Sequence, residues 1–194
     1  MFACVGSIRA QEPGRPHGFW WGFGLGGGWA TISCNGCAGG PRLSGSSFSI
    51  KLGGTPSPRV RLGAGLDFWY HELPTGTSQG LGALTLSLYY YPLSRSGLFV
   101  EAGVGTAAYT EDFVAPVACG GAGCAGVVGG GWGLTLGVGY DERIGRTVSV
   151  MQRLAYTYGG VGNVKYTDGS PFATGWKQHA LLIGLGVTLH KPLK

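Results

Sequence analysis

Residues 19–31 run in strict two-residue alternation. Phe19, Trp21, Phe23, Leu25, Gly27, Trp29 and Thr31 fall on one side; after Trp20 the other side is Gly22, Gly24, Gly26 and Gly28. Successive strand side chains point to opposite faces, so this segment reads as a strand with one bulky apolar face and one nearly bare face. The alternation returns seven times, over residues 48–53, 60–70, 84–91, 98–105, 132–140, 148–156 and 181–190. Wherever charges occur in these runs they take the glycine side, as Lys51, Arg61, Asp67, Glu101 and Arg153 do. Eight strands and no helical period predict an all-β chain.

The links between these runs alternate in length. Residues 33–46, 71–80, 110–131 and 158–175 read as long loops, and 55–59, 92–97 and 141–146 as short turns rich in Pro and Gly. Such a rhythm belongs to an up-and-down meander with one trimmed end and one shaggy end. Residues 11–194 then form a single domain. Residues 1–10 read as the tail of an export signal, with Ala10 before Gln11 as the cleavage point and Cys4 lost with it.

Which face is inside follows from the glycines. The chain carries 40 Gly in 194 residues, against a usual share of roughly 7%. Glycine facing water weakens a strand for no return. Turned into a narrow closed barrel, the same glycines make room for Trp20, Trp69, Tyr89, Tyr91 and Phe99 from neighbouring strands. The opposite face is then continuous, apolar and exposed all round, which lipid tolerates and water does not. The expectation is a closed eight-stranded antiparallel up-and-down transmembrane β-barrel. Phe19, Trp21, Tyr90 and Tyr140 near the short turns, and Trp29, Phe68, Tyr70, Trp132 and Tyr156 near the long loops, form its aromatic girdles. Two charge-free windows, residues 18–41 and 113–140, have the length of membrane helices. Each interior Gly costs a helix about 0.8–1 kcal/mol, which argues against helices in both. The alternative is a soluble lipocalin-like barrel, suggested by the Gly27-Gly28-Trp29 triplet; a lipocalin cup, however, is lined by apolar side chains, not by five charges.

Those five enclosed charges must pair. The reading pairs Glu101 with Lys51 or Arg61 near the turn end and Asp67 with Arg153 higher up, giving a plugged interior; a conducting lumen is the rival. Although the net charge is +5, the 14 basic residues are scattered, which excludes nucleic-acid binding.

At this point the segments GFWWGFGLGGGW, GLFVEAGVGTAAY, GWGLTLGVGYDERIGR and LLIGLGVTLH resemble the small eight-stranded outer-membrane barrel superfamily, the transmembrane domain of outer membrane protein A and its relatives. The resemblance implies a monomer in the outer membrane of a Gram-negative-type bacterium, with short turns in the periplasm and long loops outside. It also implies contact with outer-membrane lipid and lipopolysaccharide, and insertion by the barrel-assembly machinery. That machinery reads a final strand commonly ending in an aromatic residue, whereas this one closes on Leu189 and His190. An extracellular partner would meet residues 35–46 and 111–130.

The remaining chemistry-bearing residues point to no catalysis. Cys34, Cys37, Cys119 and Cys124 are disulfide candidates, most simply Cys34–Cys37 and Cys119–Cys124; a cross-loop arrangement, a redox dithiol or a four-thiolate zinc site are the alternatives. No cofactor or metal is expected. His17, His71, His179 and His190 show no triad spacing, so a lipid-modifying barrel enzyme needs a His within reach of Ser or carboxylate at the outer leaflet.

Overall fold

The computed structural model describes residues 17–37, 40–93, 96–119 and 122–192, without the side chains of 114–119, 122–124 and 192. Eight antiparallel strands follow one another around a ring: β1 (Gly18–Ser33), β2 (Leu43–Ser57), β3 (Val60–Glu72), β4 (Ser78–Tyr90), β5 (Leu98–Cys119), β6 (Ala122–Arg143), β7 (Val148–Tyr166) and β8 (Pro171–Pro192). Each pairs with its sequence neighbours, and β1 pairs with β8 to close the barrel.

Closure sets the dimensions. A walk along paired residues from Trp21 passes Leu52, Ala64, Leu86, Val104, Leu134, Tyr158 and His179 and re-enters β1 at Thr31, ten residues from its start. With strands ~4.8 Å apart and ~3.3 Å per residue, that stagger tilts the strands by about 40° and gives a radius of about 8 Å. Side chains fill so narrow an interior.

Glycine makes the filling possible. A Cβ on Gly63 would stand 2.9 Å from Trp20 Cζ2, and one on Gly65 would stand 3.0 Å from Lys51 Nζ. At Gly137 it would lie 3.1 Å from Glu101 Oε2. Inward-facing Trp20, Tyr89, Tyr91, Phe99 and Met151 form an aromatic layer at the short-turn end. Ala30, Trp69, Leu81, Tyr109, Val127, Val161, Val164 and Trp176 belong to an apolar layer at the other end. The charges lie between. Outward, Phe23, Leu25, Ile50, Leu62, Leu86, Val104, Leu136, Leu154, Ile183 and Leu185 stand exposed in an apolar belt around the whole ring.

Two of the four long loops are not loops. Residues 110–119 and 122–131 belong to paired strands, from Thr110↔Val128 to Cys119↔Ala122, with a register shift between Asp112 and Val117. Most of 158–175 likewise extends β7 and β8, leaving a link at 167–170 closed by Asp168 and Gly169. The alternation escapes notice because its sense reverses: below, bulky residues face out, whereas above the belt Tyr109, Val127, Val161, Val164 and Trp176 face in. The outer links at 34–42 and 73–77 remain. The turn assigned to residues 141–146 is shorter, because β6 continues through Asp141 to Arg143. The export-signal segment 1–10 lies outside the described residues.

Candidate functional site

Strand parity sends Lys51 from β2, Asp67 from β3, Glu101 from β5 and Arg153 from β7 to a common point inside the barrel. Arg153 sits between the two carboxylates and engages both bidentately. Its Nε and Nη2 donate to Glu101 Oε2 and Oε1 at 2.6 and 3.1 Å, and its Nη1 and Nη2 donate to Asp67 Oδ1 and Oδ2 at 2.7 and 3.0 Å. Lys51 Nζ donates to Glu101 Oε1 at 3.0 Å and to Asp67 Oδ2 at 3.3 Å. Two cations face two anions, and the cluster is neutral. Charge-assisted and bidentate bonds are the strong kind, and a satisfied network is what makes such burial tolerable. A void of about 20 Å³ beside Asp67, Met151 and Arg153 has room for about one water.

Arg61 takes no part in it. Its Nη1 donates to Asp141 Oδ2 at 2.7 Å, and Tyr91 Oη donates to the same oxygen at 3.4 Å. The expected Glu101–Arg61 option is therefore corrected: Glu101 pairs with Lys51 and Arg153. Asp141, read as a turn residue, is the missed member. Its parity with Gly137 and Gly139 on β6 was the available signal.

The residues expected to form aromatic girdles face outward. Phe19, Trp21, Tyr90 and Tyr140 are exposed at the short-turn end, and Trp29, Tyr70, Trp132 and Tyr156 at the other. Phe68 is half-buried against Phe48, with ring centroids 5.3 Å apart.

The histidines are dispersed. His71 Nδ1 lies 2.6 Å from the Ser44 carbonyl oxygen, and His179 Nδ1 lies 2.5 Å from Tyr156 Oη. His190 Nε2 is 2.8 Å from Ser149 Oγ. That last pair is inside the barrel at the short-turn end, with Ser149 wholly buried. Cys34 and Cys37 form a disulfide across a tight turn in the 34–42 link. The side chains of Cys119 and Cys124 are outside the described residues, so their pairing stays an expectation. Among the described residues no cluster of His, Cys, Asp or Glu is arranged to hold a metal.

A closed ring of eight tilted antiparallel strands, apolar outside and ionic inside, is the fold of the small outer-membrane barrels. Solved structures agree. The chain is similar to Neisserial surface protein A at 17% identity and TM-score 0.55, covering 89% of this chain and 97% of that one. It is similar to Ail, the attachment invasion locus protein of Yersinia pestis, solved in complex with the heparin analogue sucrose octasulfate, at 10% identity and TM-score 0.53, covering 88% and 99%. Outer membrane protein AlkL, solved in lipid bilayers, matches at 17% identity and TM-score 0.53, covering 95% of each chain. No family model and no curated protein sequence matches.

Proposed function

We propose that this chain is a monomeric integral barrel of a Gram-negative-type outer membrane, plugged within, that works as a structural or surface-interaction protein without catalytic turnover. The apolar belt carries this reading. Leu25, Leu86, Val104 and Leu185 are more than 60% exposed, in four different strands. Soluble monomers rarely show apolar patches beyond a few hundred Å², and an encircling belt exceeds that. Closure also pairs the strand backbones all the way around, as a bilayer requires.

The plug rests on three stacked layers: the aromatic cluster around Phe99, the neutral ion network, and the apolar cluster around Tyr109 and Trp176. Their packing supports a barrel that does not conduct. Above the belt, the paired extensions of β5 to β8 and the disulfide-closed 34–37 turn offer a stiff platform to an extracellular partner, since exposed loops on a rigid scaffold commonly carry recognition. Outer-membrane lipid, lipopolysaccharide among it, surrounds the belt, and the barrel-assembly machinery inserts the chain although β8 passes His190 and runs to Pro192 without an aromatic residue after Trp176. The non-catalytic reading is supported by the Ser149–His190 pair being sealed among packed side chains, and by Tyr156 being the partner of His179 at the outer rim.

The test is heat-modifiable gel migration of the envelope-extracted protein, with single-channel recording in planar bilayers. Folded, faster-migrating material that gives no stepwise conductance is expected. Recovery from the soluble fraction without detergent would refute the membrane reading. Steady ion-conducting steps would refute the plug.

A further inference from the structure

Strand parity turns four carboxylates inward, and three of them have a cation. Asp67 and Glu101 share Lys51 and Arg153, and Asp141 holds Arg61. Glu111 is the fourth. It follows Glu101 and Tyr109 on the inward side of β5, yet among the described residues no Lys, Arg or His stands within salt-bridge distance of it. It accepts from Tyr109 Oη at 2.6 Å and from Gln79 Nε2 at 3.4 Å. The described cations of this end are turned away. Lys165 is exposed beside buried Val164, Lys177 is exposed between buried Trp176 and Gln178, and Arg42 lies over the outward-facing Trp29.

Glu111 borders a cavity of about 200 Å³ in the outer mouth of the barrel. Ile32, Pro41 and Leu43 give it an apolar wall, and Tyr109 and Trp176, with ring centroids 4.5 Å apart, give it an aromatic one. Gln79 lines it as well. While its Nε2 donates to Glu111, its Oε1 is buried without a hydrogen-bond partner. The terminal torsion of Gln is soft, so this carboxamide can turn toward a donor in the cavity, and an unmet buried acceptor gains by finding one. The rim is tied down. The Asn35 N–H donates to the Thr174 carbonyl oxygen at 3.0 Å and the Gly40 N–H to that of Ile32 at 3.2 Å, with the Cys34–Cys37 disulfide closing the turn between them.

Deepening the surface-interaction reading, on which this rests, we propose that the outer mouth binds a small primary amine with an apolar body. The ammonium group donates to Glu111 and to Gln79 Oε1, and the body lies between the apolar wall and the Tyr109 and Trp176 rings. Charge complementarity chooses a cation, since a carboxylate without a counter-ion stands beside two aromatic faces. The unmet Gln79 oxygen chooses a cation that carries N–H groups over a quaternary one. Volume chooses a small molecule, because drug-sized sites run to about 300–1,000 Å³. Gln79 and Glu111 are paired two residues outward of the Leu81↔Tyr109 pair, so the site sits on the plug and does not pass through it.

The test titrates the barrel in phosphatidylcholine nanodiscs with 2-phenylethylamine and follows the Trp176 indole N–H resonance. A saturable shift at about millimolar ligand is expected, the scale for a probe of about nine heavy atoms. The neutral 2-phenylethanol and the N-trimethylated amine should each bind about tenfold more weakly or worse. Glu111→Gln keeps an acceptor for Tyr109 while removing the charge, and should lose about 10- to 100-fold in affinity. Asp112→Asn makes the same charge change one residue away on the exposed face and should leave affinity intact. The proposal is overturned if wild type gives no saturable shift, if either control probe binds as tightly as the amine, or if Asp112→Asn weakens binding as much as Glu111→Gln. Heat-modifiable migration of the same samples reports the barrel itself, so a protein that ignores amines is told apart from one that has not folded in the membrane.

Discussion

Arg153 holds more of the interior together than any other side chain, and removing it tests the packing logic directly. Replacement by Met keeps the length and apolar stem but deletes four N–H···O contacts between 2.6 and 3.1 Å. Asp67 and Glu101 then share Lys51 alone, and the enclosed cluster changes from neutral to a net charge of −1. Removing one partner of a buried pair costs 3–5 kcal/mol, chiefly because the remaining charge is left uncompensated. Two bidentate pairs are broken here, so Arg153→Met should lower the unfolding free energy by about 4 kcal/mol. Neutralising Glu101 as well restores the balance: Glu101→Gln/Arg153→Met leaves Lys51 against Asp67, and should recover about half of the loss. The assay is reversible urea unfolding of protein folded into phosphatidylcholine vesicles, followed by tryptophan fluorescence and gel migration. If Arg153→Met stays within about 1 kcal/mol of wild type, or the double variant falls below both singles, the network does not govern the interior as described.

Three further outcomes follow from other parts of the barrel. Leu86, 71% exposed, would tolerate Arg within about 0.5 kcal/mol on a water-facing surface, but on a lipid-facing one Leu86→Arg should cost about 2–4 kcal/mol in the same vesicle unfolding assay. Gly63→Val pushes atoms into the Trp20 ring and should destabilise by about 1–3 kcal/mol, visible as an earlier urea midpoint with an unchanged slope. In the outer 167–170 link, the Asp168 carboxylate accepts from the Ser170 N–H and hydroxyl, which hold its pKa below the ordinary value. A depressed folded value means this turn's contribution is complete above the normal aspartate range and is lost as pH falls through the lowered pKa. The Ser170 amide resonance should therefore titrate with a midpoint below the ordinary aspartate range.

Much of the interior was legible from parity alone. Once one strand places Gly and Lys on the same side, Lys51, Arg61, Asp67, Glu101 and Arg153 must all point the same way, and they do. The Asp67–Arg153 and Glu101–Lys51 pairs were expected and are present, but the sharing of Arg153 and Lys51 by both carboxylates and the Asp141 partner of Arg61 were not legible, because pairing across the barrel depends on stagger. Asp67 and Arg153 are 86 residues apart, and Arg61 and Asp141 are 80 apart. Asp141 was hidden for a further reason: it follows Tyr140 at the edge of the belt, where a charged residue reads as the start of a turn.

By itself, then, the order of residues determined the strand period, the number of strands, the face that carries hydrocarbon and the end that carries short turns, since each is written in neighbours two residues apart. Only the closed structure decided the ten-residue stagger, the Asp141 partner of Arg61, the sharing of Lys51 and Arg153 between both carboxylates, and the continuation of β5 to β8 above the belt. Side-chain alternation is a property of a single strand, whereas register is set by eight strands satisfying their backbone hydrogen bonds around a ring at once.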